Sequence, residues 1–123
     1  MVLVADDDPL IRLLARTVLE ADGLTAAEAE DGVDALKQIE ERPDIDLLVL
    51  DLDMPRLDGQ GVLGRLKRDV RTAGLPVIVL TASANPADEA RALERGAADY
   101  IRKPIDPPRF QARVRAVLRR NRG

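Results

Sequence analysis

Residues 47–53 read Leu47-Leu48-Val49-Leu50-Asp51-Leu52-Asp53. A strand with one wet face would alternate apolar and polar residues. Four apolar residues in succession instead fit a strand covered on both sides, as in a parallel sheet. The run then stops on a carboxylate. Two other runs behave the same way: Val2-Leu3-Val4-Ala5 leads into Asp6-Asp7-Asp8, and Val77-Ile78-Val79-Leu80 leads into Thr81.

Helical patterns fill the intervals. From Pro9 to Asp22, Leu10, Ile11, Leu14, Ala15, Val18 and Leu19 share one face, with Asp8 predicted as N-cap and Pro9 at the first helical position. Asp22-Gly23 ends that helix, and Leu24 to Ala29 reads as a second strand. Asp31 is placed to cap a helix carrying Val33, Leu36 and Ile39, which stops before Pro43. After a loop with Pro55 and an Asp58-Gly59 turn and cap, Val62, Leu63, Leu66 and Val70 mark a third helix closing near Gly74. Asn85-Pro86 opens a fourth, with Ala90 and Leu93 as a thin apolar face before Gly96. Ala98 to Ile101 reads as a fifth strand, and Phe110, Val114, Val117 and Leu118 mark a last helix starting around Pro107-Pro108. Five strand–helix units in 123 residues predict one α/β domain over residues 1–123, a doubly wound parallel sheet with helices on both faces. Such folds bind ligands beyond the carboxyl ends of their strands.

Composition narrows the chemistry. The chain has no cysteine and no histidine, which excludes disulfides, thiolate and imidazole metal sites, and catalysis by a histidine base or a cysteine nucleophile. No apolar run approaches the roughly 20 residues that cross a bilayer, and nothing resembles a signal peptide, so the expected location is cytoplasmic. Charge is unevenly placed. Residues 1–61 hold 16 acidic and 5 basic side chains, and residues 62–123 hold 6 and 14. The only aromatics are Tyr100 and Phe110, too few for a platform on which nucleic acid bases stack. The arginines from Arg109 to Arg122 read as a solvated helix face or as intersubunit ion pairs, not as a nucleic acid contact.

The strand ends therefore carry Asp6, Asp7, Asp51, Thr81 and Lys103, with Asp53 two residues beyond Asp51. Crowded carboxylates repel one another unless a cation joins them. Oxygen ligands of this kind suit Mg²⁺, which takes one or two carboxylates and retains water or phosphate oxygens. An ammonium and a hydroxyl beside them can neutralise and hydrogen-bond phosphoryl oxygens, and an aspartate can itself act as nucleophile.

Four segments in order and spacing carry a family resemblance: Val4-Ala5-Asp6-Asp7-Asp8-Pro9, Leu50-Asp51-Leu52-Asp53-Met54-Pro55-Arg56-Leu57-Asp58-Gly59, Leu80-Thr81-Ala82, and Gly96-Ala97-Ala98-Asp99-Tyr100-Ile101-Arg102-Lys103-Pro104. The chain resembles the receiver domain of two-component response regulators along essentially its whole length. The resemblance implies a flavodoxin-like sheet of order 2-1-3-4-5. It implies Asp51 as phosphoacceptor, Asp6 and Asp7 as the acidic pair for Mg²⁺, and the backbone carbonyl of Asp53 as a further ligand. Thr81 would be the switch hydroxyl, Lys103 the phosphoryl-pairing lysine, and Lys103-Pro104 a cis peptide. Tyr100 reads either as an aromatic switch that turns inward or as plain packing at a strand end.

The implied donor is a phosphohistidine on a sensor histidine kinase or a histidine phosphotransfer protein, with acetyl phosphate as a small substitute. The implied output is a change in the face formed by the fourth helix, fifth strand and fifth helix, which selects a homodimer or another partner. Direct nucleic acid or membrane contact by this domain is not expected. Asp53 and Ser83, two residues after Asp51 and Thr81, would border the path of the hydrolytic water. Asp51-Leu52-Asp53 also resembles the nucleophile motif of haloacid dehalogenase-type phosphatases, but there the nucleophile lies on the first strand and the second acidic pair downstream. A scaffold receiver that is never phosphorylated is disfavoured by the intact acceptor, acid pair and lysine. The sequence is compatible with a stand-alone receiver or with a piece of a longer regulator.

Overall fold

A computed structural model describes residues 1–54 and 57–122, with the side chain of Arg122 set aside. Pro55 and Arg56 of the motif after the third run, and Gly123, lie outside the described residues. Strands and helices alternate in the expected order: β1 (Val2–Ala5), α1 (Pro9–Ala21), β2 (Ala26–Ala29), α2 (Gly32–Glu41), β3 (Leu47–Asp51), α3 (Gly59–Arg68), β4 (Val77–Thr81), α4 (Pro86–Glu94), β5 (Asp99–Arg102) and α5 (Pro107–Arg122). All pairings are parallel and the strand order is β2-β1-β3-β4-β5. This is the flavodoxin-like α/β sandwich.

The two faces follow from the period of two along each strand. Leu3, Ala5, Leu48, Leu50, Val77 and Val79 point to one side, where Ala35 of α2, Val62, Leu63 and Leu66 of α3 and Ala92 of α4 cover them. Val2, Val4, Leu47, Val49, Ile78 and Leu80 point to the other, against Ala15 and Leu19 of α1 and Phe110, Val114 and Val117 of α5. The central strands are thus buried on both faces, which is why their sequences do not alternate.

Polar caps fix where the helices begin. Asp8 Oδ1 accepts from the Leu10 amide at 2.9 Å, Asp31 Oδ1 from Asp34 at 2.8 Å, Asp58 Oδ1 from Gly61 at 2.9 Å and Asn85 Oδ1 from Ala87 at 3.0 Å. Asp58-Gly59 is therefore the turn and cap expected.

Several expectations are corrected. The second strand starts at Ala26, not Leu24, and the fifth spans Asp99–Arg102. α3 ends at Arg68, and Val70 is 93% exposed beyond it, so Val70 does not belong to the apolar face. Leu10 and Val33 start their helices on the solvent side. The residue that seats α4 is Ala92, whereas Ala90 and Leu93 are exposed. A single buried methyl group is a narrow seat for a helix, and α4 packs mainly against β5.

Gly59 sets how closely α3 approaches the end of β3. A Cβ there would stand 2.4 Å from the Asp51 carbonyl oxygen and 2.6 Å from Leu52 Cα, both backbone atoms that cannot step aside. Gly59→Ala is expected to lower the unfolding free energy by about 1–3 kcal/mol, read from urea denaturation. An unchanged midpoint would show that the end of β3 yields freely.

Candidate functional site

Parallel register builds the site. Ala5 of β1 lies opposite Leu50 of β3, so the next residues, Asp6 and Asp51, emerge side by side. Asp51 lies opposite Leu80 of β4, and Thr81 opposite Arg102 of β5, which brings Thr81 and then Lys103 to the same rim. The Lys103 amide donates to the Thr81 carbonyl at 2.8 Å, extending the β4–β5 pairing to the lysine itself. The Lys103-Pro104 peptide is cis, as expected.

Carboxylate oxygens of Asp6, Asp7 and Asp51 all lie within 4.8 Å of one another. Asp6 and Asp51 are buried and Asp7 faces solvent. The Lys103 ammonium sits between the two buried acids, with Nζ 2.9 Å from Asp6 Oδ2 and 3.4 Å from Asp51 Oδ1. Burial opposes its charge, but the close pairing with Asp6 and the charges of Asp51 and Asp6 outweigh that, so the ammonium is held above its ordinary range.

Asp51 is less well provided for. Its Oδ1 accepts from the Asp53 amide at 3.1 Å. Burial and the neighbouring charge of Asp6 nevertheless outweigh that bond and Lys103, pushing the Asp51 carboxyl up to about 6. Asp6 has one satisfied oxygen, Oδ1, which accepts from the Asp8 amide at 2.9 Å. Its Oδ2 is within ion-pair distance of Lys103 but, among the described residues, has no partner with hydrogen-bond geometry, although it is fully buried. A buried carboxylate oxygen in that state has coordination left to give. The donors are all hard oxygens, which suits Mg²⁺ or a similar divalent cation and not a thiophilic metal. The residues present fit such an ion.

Thr81 is buried, and its Oγ1 accepts from the Ser83 amide at 3.1 Å. Ser83 Oγ donates to Asp88 in the first turn of α4 and accepts from the Asn85 amide at 3.2 Å. The threonine is thereby linked through the β4–α4 loop to α4. Tyr100 is buried in the sheet core on the same side as α4, with no hydrogen-bond partner for its hydroxyl among the described residues. A cavity of about 340 Å³ opens beside it, lined by Glu89, Arg102, Asp106, Arg109 and Phe110 among others. Asp53 supplies its amide to Asp51 and leaves its side chain in solvent.

Two connections were not legible from the sequence. Arg12 of α1 reaches back to the Asp6 carbonyl, and Ser83 joins Asp88. For Arg12, helical spacing indicates only a polar flank. Its partner Glu28 becomes visible once β2 is laid beside β1.

Among the described residues, no helix is long and apolar enough to cross a membrane. The sequence profile of the response regulator receiver domain matches residues 2–115. The chain is 42% identical over 120 residues to the "DNA-binding dual master transcriptional regulator RpaA" of Synechocystis, a match covering 97% of this chain and 49% of that protein. It is 42% identical over 119 residues to the "Phosphate regulon transcriptional regulatory protein PhoB" of Escherichia coli, covering 97% of this chain and 52% of that protein. The chain thus spans about half the length of the curated relatives it matches. Among solved structures, the Francisella response regulator 1452 receiver domain superposes with a TM-score of 0.89 at 34% identity, covering 97% of this chain and 96% of that one. With Asp51 at the end of β3 and the acid pair upstream, directly after β1, the arrangement departs from the phosphatase alternative on both counts. The chain belongs to the response regulator receiver domain family.

Proposed function

We propose that residues 1–123 form one phosphorylation switch, with Asp51 as the acceptor of a phosphoryl group from a phosphohistidine. The observation that carries this reading is the Lys103 ammonium held between buried Asp6 and Asp51 at the carboxyl rim of the sheet. Asp6, Asp7, Asp51 and the Asp53 backbone carbonyl would hold Mg²⁺. When bound, the ion supplies positive charge against the phosphoryl oxygens and relieves repulsion among the acids. The chain's own residues do the rest. Asp51 Oδ1 is engaged by the Asp53 amide and Lys103, which leaves Oδ2 as the attacking oxygen. An O–P bond forms as the P–N bond to imidazole breaks, and the electron pair leaves with the donor histidine. Lys103 can turn from the carboxylates to the incoming oxygens, so it offsets charge where charge develops. Hydrolysis of the acyl phosphate restores the carboxylate. The domain is a switch and not a turnover enzyme.

Thr81 and Tyr100 would carry the signal outward. If the Thr81 hydroxyl moves to the phosphoryl group, the Ser83 amide loses its acceptor, and the Ser83–Asp88 link passes that change to α4. The narrow seat of α4 favours a response there and in the face it shares with β5 and α5. That face would select a homodimer or another partner. The phosphodonor would be a sensor histidine kinase or a histidine phosphotransfer protein, in the cytoplasm. Control of transcription is the output that the relatives favour, through parts of a longer regulator, with no nucleic acid contact by this domain.

Incubation with acetyl phosphate and Mg²⁺ is expected to add one labile phosphoryl group of about 80 Da by intact-protein mass. The adduct should be absent with EDTA and in Asp51→Asn; undiminished labelling of Asp51→Asn would overturn the assignment. Lys103→Ala is expected to retain metal binding while labelling falls by roughly 100-fold or more.

The raised Asp51 carboxyl also gives a stability test. It titrates near 6 in the fold and at its ordinary 3.8 in the unfolded chain. The folded state therefore holds more protons between those values, and this group's contribution to stability is lost as pH rises from about 4 to about 6. Without metal, Asp51→Asn should exceed the parent by about 1–2 kcal/mol above pH 7. The gap should close below pH 4 and shrink when Mg²⁺ is added. A gap constant from pH 4 to 8, in urea denaturation, would contradict this origin.

A further inference from the structure

The side chain of Arg12 crosses from α1 to the rim. Its Nη1 donates to the Asp6 carbonyl oxygen at 2.6 Å, and its Nε donates to Glu28 Oε1 of β2 at 3.0 Å. The Arg12 side chain is only 16% exposed. Asp6 follows directly after the last paired residue of β1, so its carbonyl has left the sheet's hydrogen-bond ladder. Its amide is still held, by the Ala29 carbonyl at 3.1 Å. With Arg12 on the carbonyl, both backbone groups of Asp6 are tied to neighbouring elements. The Asp8 amide on Asp6 Oδ1 completes the hold on that residue.

The charge balance is equally specific. A bare guanidinium beside the acids would compete with a divalent cation for them. Here Glu28 accepts from Arg12 through one oxygen and from Arg16 through the other, at 3.2 Å, and Arg16 also pairs with Glu20. Two arginines meet two glutamates, so Arg12 brings a donor to the Asp6 backbone without bringing net charge to the metal. Gln38 of α2 donates to the Glu28 carbonyl at 2.8 Å and steadies the strand from its other side.

We propose that Arg12, oriented by Glu28, is a positioning residue that holds the Asp6–Asp7 turn in the geometry required for divalent metal binding. This rests on the metal reading above, and it goes beyond it by assigning the fine placement of the acid pair to a residue that touches neither metal nor phosphoryl group. The planar fork matters: Nε and Nη1 are separate donors in a fixed geometry that reach acceptors on different elements, whereas a lysine has a single nitrogen to place.

Binding of Mn²⁺ as a probe, followed by the free-ion EPR signal, tests this without any phosphorylation. Arg12→Ala and Arg12→Lys are both expected to bind Mn²⁺ about tenfold more weakly than the parent, the size usual for residues that orient metal ligands. Arg16→Gln removes a guanidinium from the same glutamate without touching Asp6, and should bind within about twofold of the parent. Glu28→Ala, which leaves Arg12 in place but unoriented, should lie between, and it carries the test if Arg12→Ala fails to fold. Parental affinity in Arg12→Ala would overturn the proposal, as would full rescue by Arg12→Lys, since charge alone would then suffice. An equal loss in Arg16→Gln would reduce the effect to general loosening of α1 and overturn it too. If the parent itself binds no Mn²⁺, the metal reading fails, and the positioning role fails with it.

Discussion

Two buried carboxylates share one ammonium at the carboxyl edge of the sheet. The 2.9 Å contact of Lys103 with Asp6 and the longer 3.4 Å contact with Asp51 leave the site with more negative charge than one lysine can offset. Desolvation makes this worse, because burial penalises each ionised form before pairing returns part of the cost. The fold accepts that cost at the rim. Everything beneath the rim is apolar and closely interleaved, with β1, β3 and β4 buried along their length. A sheet of that kind can hold an unfavourable charge arrangement in position, whereas a surface loop would relax and let the acids separate.

The same excess makes the site responsive. Asp51 sits in surroundings that favour a neutral or capped form, as its raised carboxyl indicates. A divalent ion or an acyl phosphate, as proposed, would change the electrostatics of the group on which the rim is most frustrated. A well-neutralised cluster would gain much less from either event. The strain at the rim and the reactivity proposed for Asp51 would thus share one cause, the shortage of positive charge around Asp6 and Asp51.

The central strands and the rim residues were legible in the sequence because both depend on local facts. An unbroken run such as Leu47 to Leu50 announces burial on two faces, and the residue that ends it must stand at the rim. The motifs added the strand order and the roles proposed for the rim residues. The errors cluster where a helix meets solvent. Leu10, Val33, Val70 and Leu93 are apolar and fall near helical spacing, yet all four are exposed. Spacing alone cannot tell a residue under the first turn from one that projects past the edge of the sheet, since that depends on where neighbouring elements stop. Ala92 escapes such spacing for the converse reason: a small residue carries little hydrophobic signal even when it is the point of contact. Arg12 with Glu28, and Ser83 with Asp88, join side chains whose pairing depends on strand order and loop path, and single-chain periodicity reports neither.

The exposed apolar residues of α4 and its single buried alanine have a mechanical consequence. A helix that buries little loses little when it shifts. α1 and α5 are anchored by Leu19, Phe110, Val114 and Val117, all essentially inaccessible to solvent, so displacing either would expose large side chains. α4 offers Ala92, together with the polar link from Asp88 through Ser83 toward Thr81. A polar link of this kind is directional, so it can transmit the position of one hydroxyl in a way that an oily interface cannot. The element least secured by packing is therefore also tied by hydrogen bonds to Thr81 at the rim, and a change relayed through that hydroxyl would meet little packing resistance there.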